Sequence, residues 1–307
     1  MIYNPYAGRL ARGQRLLQRT IDLLEGQGTR ARLVPTTGPN TASLLARSFV
    51  EEGADLIVAA GGDGTINEIM NGMVHSDVPL AILPGGTANV LAHELKMHAS
   101  FEAAAARVSE LIPQRISVGL MRGNHYQRHF MMMAGIGLDA QIVYDLNLDL
   151  KAVAGKLAYY AGGIRQVFRP LPQFDAHVRG YNRRVGFALA SRVRNYGGDL
   201  EIARGASLLR PDFEVLLFEG ANSPGYLRYM AGVVFGYTAR QNGCLVMYAD
   251  SIGCDEPSIG GVHTQIDGEL GCDLPVTIEM VPQALTLLMP PAYLSREQAR
   301  QQTAAFV

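Results

Sequence analysis

The segment Asp55-Leu-Ile-Val-Ala-Ala60, followed at once by Gly61-Gly-Asp-Gly-Thr-Ile-Asn-Glu68, decides the fold of the first third of the chain. Its first part is a short, fully apolar run, which is typical of a strand buried on both faces of a parallel sheet. Leu80-Ala-Ile-Leu83 repeats this pattern, and residues 66–74 between the two runs have helical spacing. This β-α-β order predicts a doubly wound α/β domain.

The glycine-rich loop at residues 61–68 predicts an anion-binding site. Glycines allow backbone N–H groups to approach an anion, and the start of the following helix adds the positive end of its dipole. Thr65 and Glu68 have the T-x-x-E spacing of a capping box. The alternative is a plain strand-to-helix turn, but one glycine would satisfy such a turn and this loop has three.

A second glycine-rich loop, Pro84-Gly-Gly-Thr-Ala-Asn89, follows the next apolar strand and precedes a predicted helix over residues 90–95. Loops at the carboxyl ends of two parallel strands converge on one crevice of an open sheet, where an anion with several phosphates would fit. Neither loop has the P-loop pattern, and the sequence contains no protein-kinase signature. Residues 135–140 match G-x-G-x-x-A, but no acidic residue follows about 20 positions later, so we reject NAD binding there.

The composition is that of a globular protein, with 48% hydrophobic and 18% charged residues in a chain of 307. This length predicts two domains. The 34 glycines show no G-X-Y period, so they serve turns or close approach to a ligand. Cys244, Cys254 and Cys272 include no C-x-x-C pair, which argues against a disulfide framework or a zinc site. We see no signal peptide and no run of 18 apolar residues, so we expect no membrane span.

After about residue 115 the pattern changes to short β-rich runs separated by turn residues. This spacing indicates an antiparallel sandwich or barrel. The predicted strands cover residues 115–121, 126–133, 174–179, 184–191, 213–218, 244–249, 275–281 and 284–289. Helical interruptions are predicted over 138–168 and 225–236, and a polar helix over 295–303.

The net charge of −1, from 27 basic and 28 acidic residues, argues against a nucleic-acid partner, and we expect none. The charges are unevenly distributed along the chain. Residues 151–210 carry 11 basic and 3 acidic groups, whereas residues 211–307 carry 4 basic and 11 acidic groups. The basic block favours an anionic partner such as a membrane surface, but the two blocks could instead neutralise each other in the fold. Both interpretations stay open.

Five segments occur in the order found in the bacterial diacylglycerol kinase-like lipid kinases, and the chain resembles that family over almost its whole length. The family includes relatives of the sphingosine and ceramide kinases. The GGDGT loop alone is shared with NAD kinases and phosphofructokinases, whereas the first, third and last segments are more specific. The five segments are Asn4-Pro-Tyr-Ala-Gly8, Gly61-Gly-Asp-Gly-Thr-Ile-Asn-Glu68, Pro84-Gly-Gly-Thr-Ala-Asn89, Ala134-Gly-Ile-Gly-Leu-Asp-Ala140 and Asp267-Gly-Glu269.

The resemblance implies an N-terminal α/β domain of the NAD kinase and phosphofructokinase type, and an all-β C-terminal sandwich. We expect the nucleotide-binding domain over residues 1–115, joined by the tail 290–307, and the lipid-substrate domain over residues 116–289. The implied activity is transfer of the γ-phosphate of ATP to the hydroxyl of a diacylglycerol-like or sphingoid-like lipid, with Mg²⁺ as cofactor. We expect a cytoplasmic protein, peripheral at an anionic inner membrane surface, with a homodimer as one option for its oligomeric state.

The resemblance also implies which residues contact ATP, and most of them lie in the two glycine-rich loops. Thr37 is an alternative to its neighbour Thr36. The implied contacts are Asn4, Thr36, Gly61, Gly62, Asp63, Gly64, Thr65, Ile66, Asn67, Gly86 and Thr87.

Three carboxylates match acidic positions of the family. Glu269 matches the catalytic carboxylate, which would accept the proton of the attacking lipid hydroxyl. Asp63, with a catalytic role, and Asp139 match positions near the phosphates and Mg²⁺. The alternatives are a hairpin turn at Asp267-Gly268 for the segment around Glu269, and a helix cap for Asp139.

Two positions depart from the family pattern. Many relatives have Asp directly after the Asn of the second loop, where this chain has Val90. Some relatives hold a structural metal at an Asp-Asp-Gly turn, but the matching stretch here, Leu209-Arg-Pro-Asp212, lacks the pair, which argues against such a metal. Two other functions stay open: an NAD kinase-like enzyme with a soluble acceptor, and a non-catalytic lipid- or nucleotide-binding protein.

Overall fold

The computed structural model of the chain describes residues 1–8, 10, 13–97, 100–137, 172–196, 200–219, 243–255 and 261–305. The chain divides into two units: the first contains Met1–Ser117 and Pro282–Val307, and the second contains Val118–Val281. The helical interruptions predicted over 138–168 and 225–236 lie outside the described residues. Within the described part of the chain, no helix is long and apolar enough to cross a membrane.

The chain up to residue 110 alternates strands with helices, as the apolar runs of the sequence predict. A 3-10 turn at Val108–Glu110 closes this part. Its elements are β1 (Ile2–Tyr3), α1 (Gln14–Gly26), β2 (Val34–Pro35), α2 (Thr41–Glu51), β3 (Ile57–Gly61), α3 (Asp63–Met73), β4 (Pro79–Pro84), α4 (Val90–Glu94) and α5 (Phe101–Ala105).

The rest of the described chain is almost entirely β-structure and ends in one helix. The elements are β5 (Ile112–Gly123), β6 (Tyr126–Phe130), β7 (Met133–Gly137), β8 (Phe174–Val178), β9 (Tyr181–Val185), β10 (Phe187–Ser191), β11 (Asn195–Tyr196), β12 (Leu200–Glu201), β13 (Phe213–Phe218), β14 (Cys244–Ala249), β15 (Ser251–Cys254), β16 (His263–Ile266), β17 (Glu269–Asp273), β18 (Val276–Met289) and α6 (Pro291–Ala305).

The sheet of the first unit is parallel, in the order β2-β1-β3-β4, followed by the C-terminal half of β18. All five residues of β3 are buried. Val58 and Ala60 of this strand share a core with residues of α1 and α5. Ile57 and Ala59 alternate with them and face the other side of the sheet, where α3 contacts β3. Helices therefore cover both faces, which confirms the predicted doubly wound α/β fold.

The second unit is an antiparallel sandwich, also as predicted. One sheet has the order β14-β13-β10-β7-β16-β17. The other contains β9, β8, β15 and the N-terminal half of β18, together with the hairpin of β5 and β6. Phe130 of β6 stacks on Phe213 of β13 with ring centroids 5.6 Å apart, so the core lies between the two sheets.

Several element boundaries differ from the predicted ones. α3 begins at Asp63 instead of residue 66, because Gly62 is extended and an acidic residue at the first helical position favours the positive end of the helix dipole. The strands predicted over 275–281 and 284–289 form one strand, β18, in which Gln283 takes a left-handed conformation with φ 50°. The predicted run 126–133 divides into β6 and β7, and the run 184–191 divides between β9 and β10.

Candidate functional site

The carboxyl ends of the parallel strands in the first unit lead into the segments that hold the predicted ATP contacts. Asn4 follows β1, Thr36 follows β2, and the two glycine-rich loops follow β3 and β4. Because these four strands are neighbours in a parallel sheet, their carboxyl ends lie at one edge. Segments far apart in the sequence thus meet at the kind of edge where open α/β sheets bind ligands.

Asn4 connects the first segment to the GGDGT loop. Its backbone N–H donates to the carbonyl oxygen of Ala60 at 3.0 Å. Its side-chain Nδ2 donates to Oγ1 of Thr65 at 3.2 Å, and its Oδ1 accepts the backbone N–H of Tyr6 at 2.9 Å. These bonds use both ends of the Asn4 amide, so the residue fixes the loop geometry.

The two glycine-rich loops touch through their backbones. The N–H of Gly85 donates to the carbonyl oxygen of Gly61 at 2.8 Å. A methyl group on Gly86 would lie 2.5 Å from Cα of Gly62, so a side chain there would push the loops apart. Gly8, with φ 23°, would bring a Cβ to 3.1 Å from the Gly85 carbonyl oxygen. Glycine is required here for close backbone approach.

Asn89 closes the second loop, and sequence reasoning assigned it no role. It has φ 47°, a left-handed conformation that Asn tolerates better than most residues. Its Oδ1 accepts the N–H of Gly86 and its Nδ2 donates to the carbonyl oxygen of Gly86, both at 2.9 Å. The position directly before a helix was the available signal, since Asn is common at such boundaries. Thr87, within this closed turn, is exposed.

Asp63 caps a helix of the second loop. Its Oδ2 accepts the N–H of Val90 at 3.0 Å and its Oδ1 accepts the N–H of Leu91 at 3.3 Å. The carboxylate thus lies at the positive end of α4. Val90 contributes its backbone to this contact, and its side chain is buried. The side chain at position 90 therefore packs in the core, and the acidic group at the start of α4 comes from Asp63.

The predicted capping box is wrong. Gly62 precedes α3, so Thr65 lies within the first turn of the helix and cannot be its N-cap. Glu68 reaches another helix, where its Oε2 accepts the N–H of Ala42 at 3.3 Å, near the start of α2. Asp63 and Glu68, the two acidic residues of segment 61–68, therefore each stabilise the N-terminal turn of a neighbouring helix.

The remaining predicted ATP contacts differ in accessibility. The side chains of Ile66 and Asn67 are buried, each with about 2% exposure, so we expect any ATP contact there to use the backbone. Gly64 is half-buried. Thr36 is buried and donates its N–H to the carbonyl oxygen of Tyr3 at 2.8 Å. Thr37 is exposed and donates its N–H to Oγ1 of Thr41 at 3.2 Å.

In the second unit, Glu269 is the first residue of β17, directly after a two-residue hairpin turn. The turn residues Asp267 and Gly268 have φ 50° and φ 83°, as a type I′ turn requires. Ile266 pairs with Glu269 across the hairpin. The hairpin alternative is thus correct for Asp267-Gly268, and it places Glu269 on a defined edge strand without deciding the role of its carboxylate.

Asp267 anchors this hairpin to the segment between β6 and β7. Its carboxylate is buried and accepts three backbone N–H groups at 2.9 Å each. The donors are Met131, Met132 and Met133. Methionine side chains at these positions are buried in the core, as the apolar pattern predicts. The Asp of the D-G-E segment is therefore a structural residue.

Arg128 of β6 forms an ion pair with Glu269, and sequence reasoning missed it. Its Nη2 lies 2.7 Å from Oε2 of Glu269. Burial lowers the pKa of Arg128, but the carboxylates of Glu269 and Asp267 raise it, and the resulting pKa lies above the usual value. The two residues are 141 positions apart in the sequence, so no local pattern could have joined them.

Asp212 and Asp139 are the two further carboxylates for which the sequence raised the question of a metal site. Arg210 forms a bidentate ion pair with Asp212, at 2.7 and 2.9 Å, and its guanidinium lies 3.8 Å from the ring centroid of Tyr248. The charge of Asp212 is therefore balanced by a side chain. Asp139 lies outside the described residues. Across the described ranges, no three His, Cys, Asp or Glu side chains form a candidate metal cluster.

Comparison with known proteins identifies both units. Residues 1–121 match the Diacylglycerol kinase catalytic domain, and residues 132–289 match the YegS C-terminal NAD kinase beta sandwich-like domain. A protein named diacylglycerol kinase from Bacillus subtilis (strain 168) is 27% identical over 309 residues, covering 98% of this chain and 97% of the relative.

Solved structures with low sequence identity share the fold. A diacylglycerol kinase from Bacillus anthracis str. Sterne superposes with a TM-score of 0.72 at 20% identity, covering 95% of this chain and 96% of that chain. An NAD kinase from Archaeoglobus fulgidus, solved in complex with ATP, gives a TM-score of 0.53 at 14% identity, covering 96% and 95%. The match to the catalytic domain and the relatives named diacylglycerol kinase support a kinase. The chain belongs to the bacterial diacylglycerol kinase-like family.

Proposed function

We propose that this protein is an ATP- and Mg²⁺-dependent lipid kinase that transfers the γ-phosphate to a lipid hydroxyl, with Glu269 as general base. The observation that carries the proposal is the contact of two glycine-rich loops at the carboxyl edge of a parallel sheet, where Gly86 lies too close to Gly62 to carry a side chain. A backbone so closely packed, beside the start of a helix, suits an anion with several phosphates.

ATP is proposed to bind at this edge of the first unit. The backbone of residues 61–67 and Gly86 would surround the phosphates, with Asn4 and Thr65 holding the loop in place. Asn89 stabilises the second loop by bonding both backbone groups of Gly86. Phosphoryl transfer depends mainly on positioning and charge neutralisation, which is the chemistry that such loops supply.

The residues present fit a magnesium ion. In phosphoryl-transfer sites Mg²⁺ is usually bound by one or two carboxylates together with substrate phosphates, and it neutralises phosphate charge when bound. Asp63 is the loop carboxylate that would hold it. The two backbone N–H groups at 3.0 and 3.3 Å already orient this carboxylate. Asp139 stays a proposed second contributor.

Glu269 is proposed to act on the acceptor hydroxyl. A carboxylate within hydrogen-bond reach can accept the hydroxyl proton as the oxygen attacks the γ-phosphate. The acceptor O–H and the bond between the γ-phosphorus and the β,γ-bridging oxygen break, the acceptor O–P bond forms, and ADP leaves. Glu269 is 38% exposed at the side chain, so it is accessible to a substrate.

The lipid acceptor is proposed from the family. Relatives that align with 98% and 99% of this chain are named diacylglycerol kinase. The rivals are a soluble dinucleotide acceptor, as for an NAD kinase, and a non-catalytic binding protein. Val90, where many relatives have Asp, is the sequence feature that favours a non-catalytic protein. An acidic group is nevertheless present at the start of α4, because Asp63 accepts the backbone N–H of Val90 there.

Contact with an anionic membrane is a separate proposal. Two arginines of the basic block form ion pairs with carboxylates of the acidic block 211–307 in the described part of the chain: Arg183 with Glu219 and Arg210 with Asp212. These pairs favour mutual neutralisation for that part of the block. We therefore propose that any attraction comes from the block's basic residues at 151–169, outside the described residues. Vesicle flotation tests this attraction. If binding to the vesicles depends neither on their anionic lipid content nor on salt, the proposal is wrong.

The experiment that tests the catalytic proposal replaces Glu269 by Gln and measures phosphate transfer from ATP to lipid alcohols in mixed micelles. We expect kcat to fall by at least about 100-fold while ATP still binds. Glu279→Gln is a matched control, because Glu279 is 39% exposed and forms a 2.7 Å ion pair with Arg122 in the same unit. Full activity of Glu269→Gln would refute the base assignment.

Sedimentation of the purified protein would test the homodimer.

A further inference from the structure

Arg128 and Glu269 bridge the two sheets of the second unit. Arg128 lies on β6, which pairs with β5, whereas Glu269 begins β17 at the edge of the other sheet. The guanidinium Nη2 and the carboxylate Oε2 are 2.7 Å apart. Within the described ranges, no hydrogen-bond partner is found for the second oxygen, Oε1 of Glu269. One oxygen is therefore held while the other is available to a substrate.

The surroundings of Arg128 favour a fixed, charged guanidinium. Its side chain is only 22% exposed. Tyr126 lies two residues earlier on the same face of β6, and burial raises the pKa of its hydroxyl, so that it stays neutral. Asp267, anchored by three backbone N–H groups, contributes a further negative charge near Arg128. The cation is thus paired with Glu269 and attracted by the charge of Asp267, which belongs to the same hairpin.

The ion pair of Arg122 and Glu279 in the same unit is a comparison for the pair of Arg128 and Glu269. Arg122 of β5 and Glu279 of β18 are also 2.7 Å apart, but the Arg122 side chain is 50% exposed and also bonds Gln127 at 2.8 Å. An exposed pair of this kind contributes little to stability. The Arg128 pair differs by its burial and by the neighbouring Asp267, so it can fix the direction of a carboxylate.

We propose that Arg128 is a positioning residue that orients Glu269, with Oε1 directed to the acceptor hydroxyl. This inference rests on the proposed role of Glu269 as general base. Arg128 does not take up or release the proton: the hydroxyl proton passes to Glu269, and the guanidinium stays protonated throughout.

The test compares Arg128→Gln, Arg128→Lys and the control Arg122→Gln in the lipid kinase assay. A displacement of a reacting group by about 1 Å can lower the rate about 100-fold, so we expect a fall of that order in kcat for Arg128→Gln. The KM for ATP should stay unchanged. Arg122→Gln should change neither kcat nor KM.

Arg128→Lys keeps a positive charge but carries it as an ammonium group on a flexible side chain. We expect kcat to fall by up to about tenfold, because an ammonium group holds a carboxylate less rigidly than a guanidinium. If Arg128→Gln does not fold, this variant carries the test. A wild-type kcat for Arg128→Lys would then overturn the inference.

The Glu269→Gln background separates this inference from the proposed function. If Arg128 acts through Glu269, adding Arg128→Gln to Glu269→Gln should not lower the residual rate further. A full second loss would overturn the positioning role. If Glu269→Gln is inactive while Arg128→Gln has wild-type kcat, the Arg128 inference alone fails. If Glu269→Gln keeps full activity, the base assignment itself fails.

Discussion

Replacing Gly86 by alanine places a methyl group where the two glycine-rich loops touch. The added Cβ would lie 2.5 Å from Cα of Gly62 and 3.1 Å from Oδ1 of Asn89. The first of these neighbours is backbone, which cannot rotate away. Ordinary carbon contacts are about 3.5 Å, so the loops must separate by about 1 Å.

The size of the effect follows from this displacement. Overpacking of this kind costs about 1–3 kcal/mol, which corresponds to a fall in melting temperature of several degrees. If the loops bind the phosphates of ATP, a shift of about 1 Å should also lower kcat/KM for ATP by about 100-fold. The substitution therefore acts on stability and on nucleotide use together.

The assay is thermal unfolding together with steady-state kinetics at varied ATP. Gly26→Ala is the matched control, because Gly26 ends α1 and an added Cβ would meet nothing within 4 Å. We expect that control to raise stability by about 0.5–1 kcal/mol and to leave kcat/KM unchanged. If Gly86→Ala matched the wild type in melting temperature and in ATP kinetics, the loop contact described above would be wrong.

Three further substitutions test the packing of charged groups. Asp267→Asn replaces one carboxylate oxygen, which accepts backbone N–H groups of residues 131–133, by an NH2 group that cannot accept them. The unfolding free energy should fall by about 2 kcal/mol in urea titrations. Arg296→Met removes the cation 3.1 Å from the buried Glu94 and 3.0 Å from Glu297, and should cost about 3 kcal/mol by the same measurement. Hydrogen bonds to Asn182 and Asp255 raise the pKa of His177, with a smaller contribution from the charge of Asp175. Its contribution to stability is therefore complete below about pH 6.5 and is lost as pH rises through the raised pKa. Over that range the unfolding free energy of the wild type should fall relative to that of His177→Gln. An equal dependence of the unfolding free energy on pH in both proteins would contradict the raised pKa of His177.

The fold could be predicted because its signals are local. The strands β3 and β4 are short apolar runs, β3 ends in Gly61 and β4 is followed by Gly85, and the helix between them, α3, has an apolar period. Residues Asp63 and Gly64 obscured the start of α3, since glycine is a poor helix former. The single strand β18 was predicted as two, because Pro282 and Gln283 interrupt the apolar pattern.

The partners of the site residues could not be predicted in the same way. Asp63 bonds the backbone of a residue 27 positions away, and Glu68 bonds one 26 positions away. The spacing of Thr65 and Glu68 suggested a local capping box, but tertiary contacts place Glu68 at the start of α2 instead. Arg128 and Asp267 act through contacts more than 130 positions apart, which only the folded chain reveals.

The most direct test of the account is the transfer of label from γ-labelled ATP to lipid alcohols in mixed micelles, with NAD as a soluble acceptor in a parallel reaction. We predict label in a diacylglycerol-like or sphingoid-like lipid, none in NAD, and loss of lipid labelling in Glu269→Gln but not in Glu279→Gln. Label in NAD without label in any lipid would contradict the proposed acceptor. ATP binding without transfer to any acceptor would contradict the proposed enzyme.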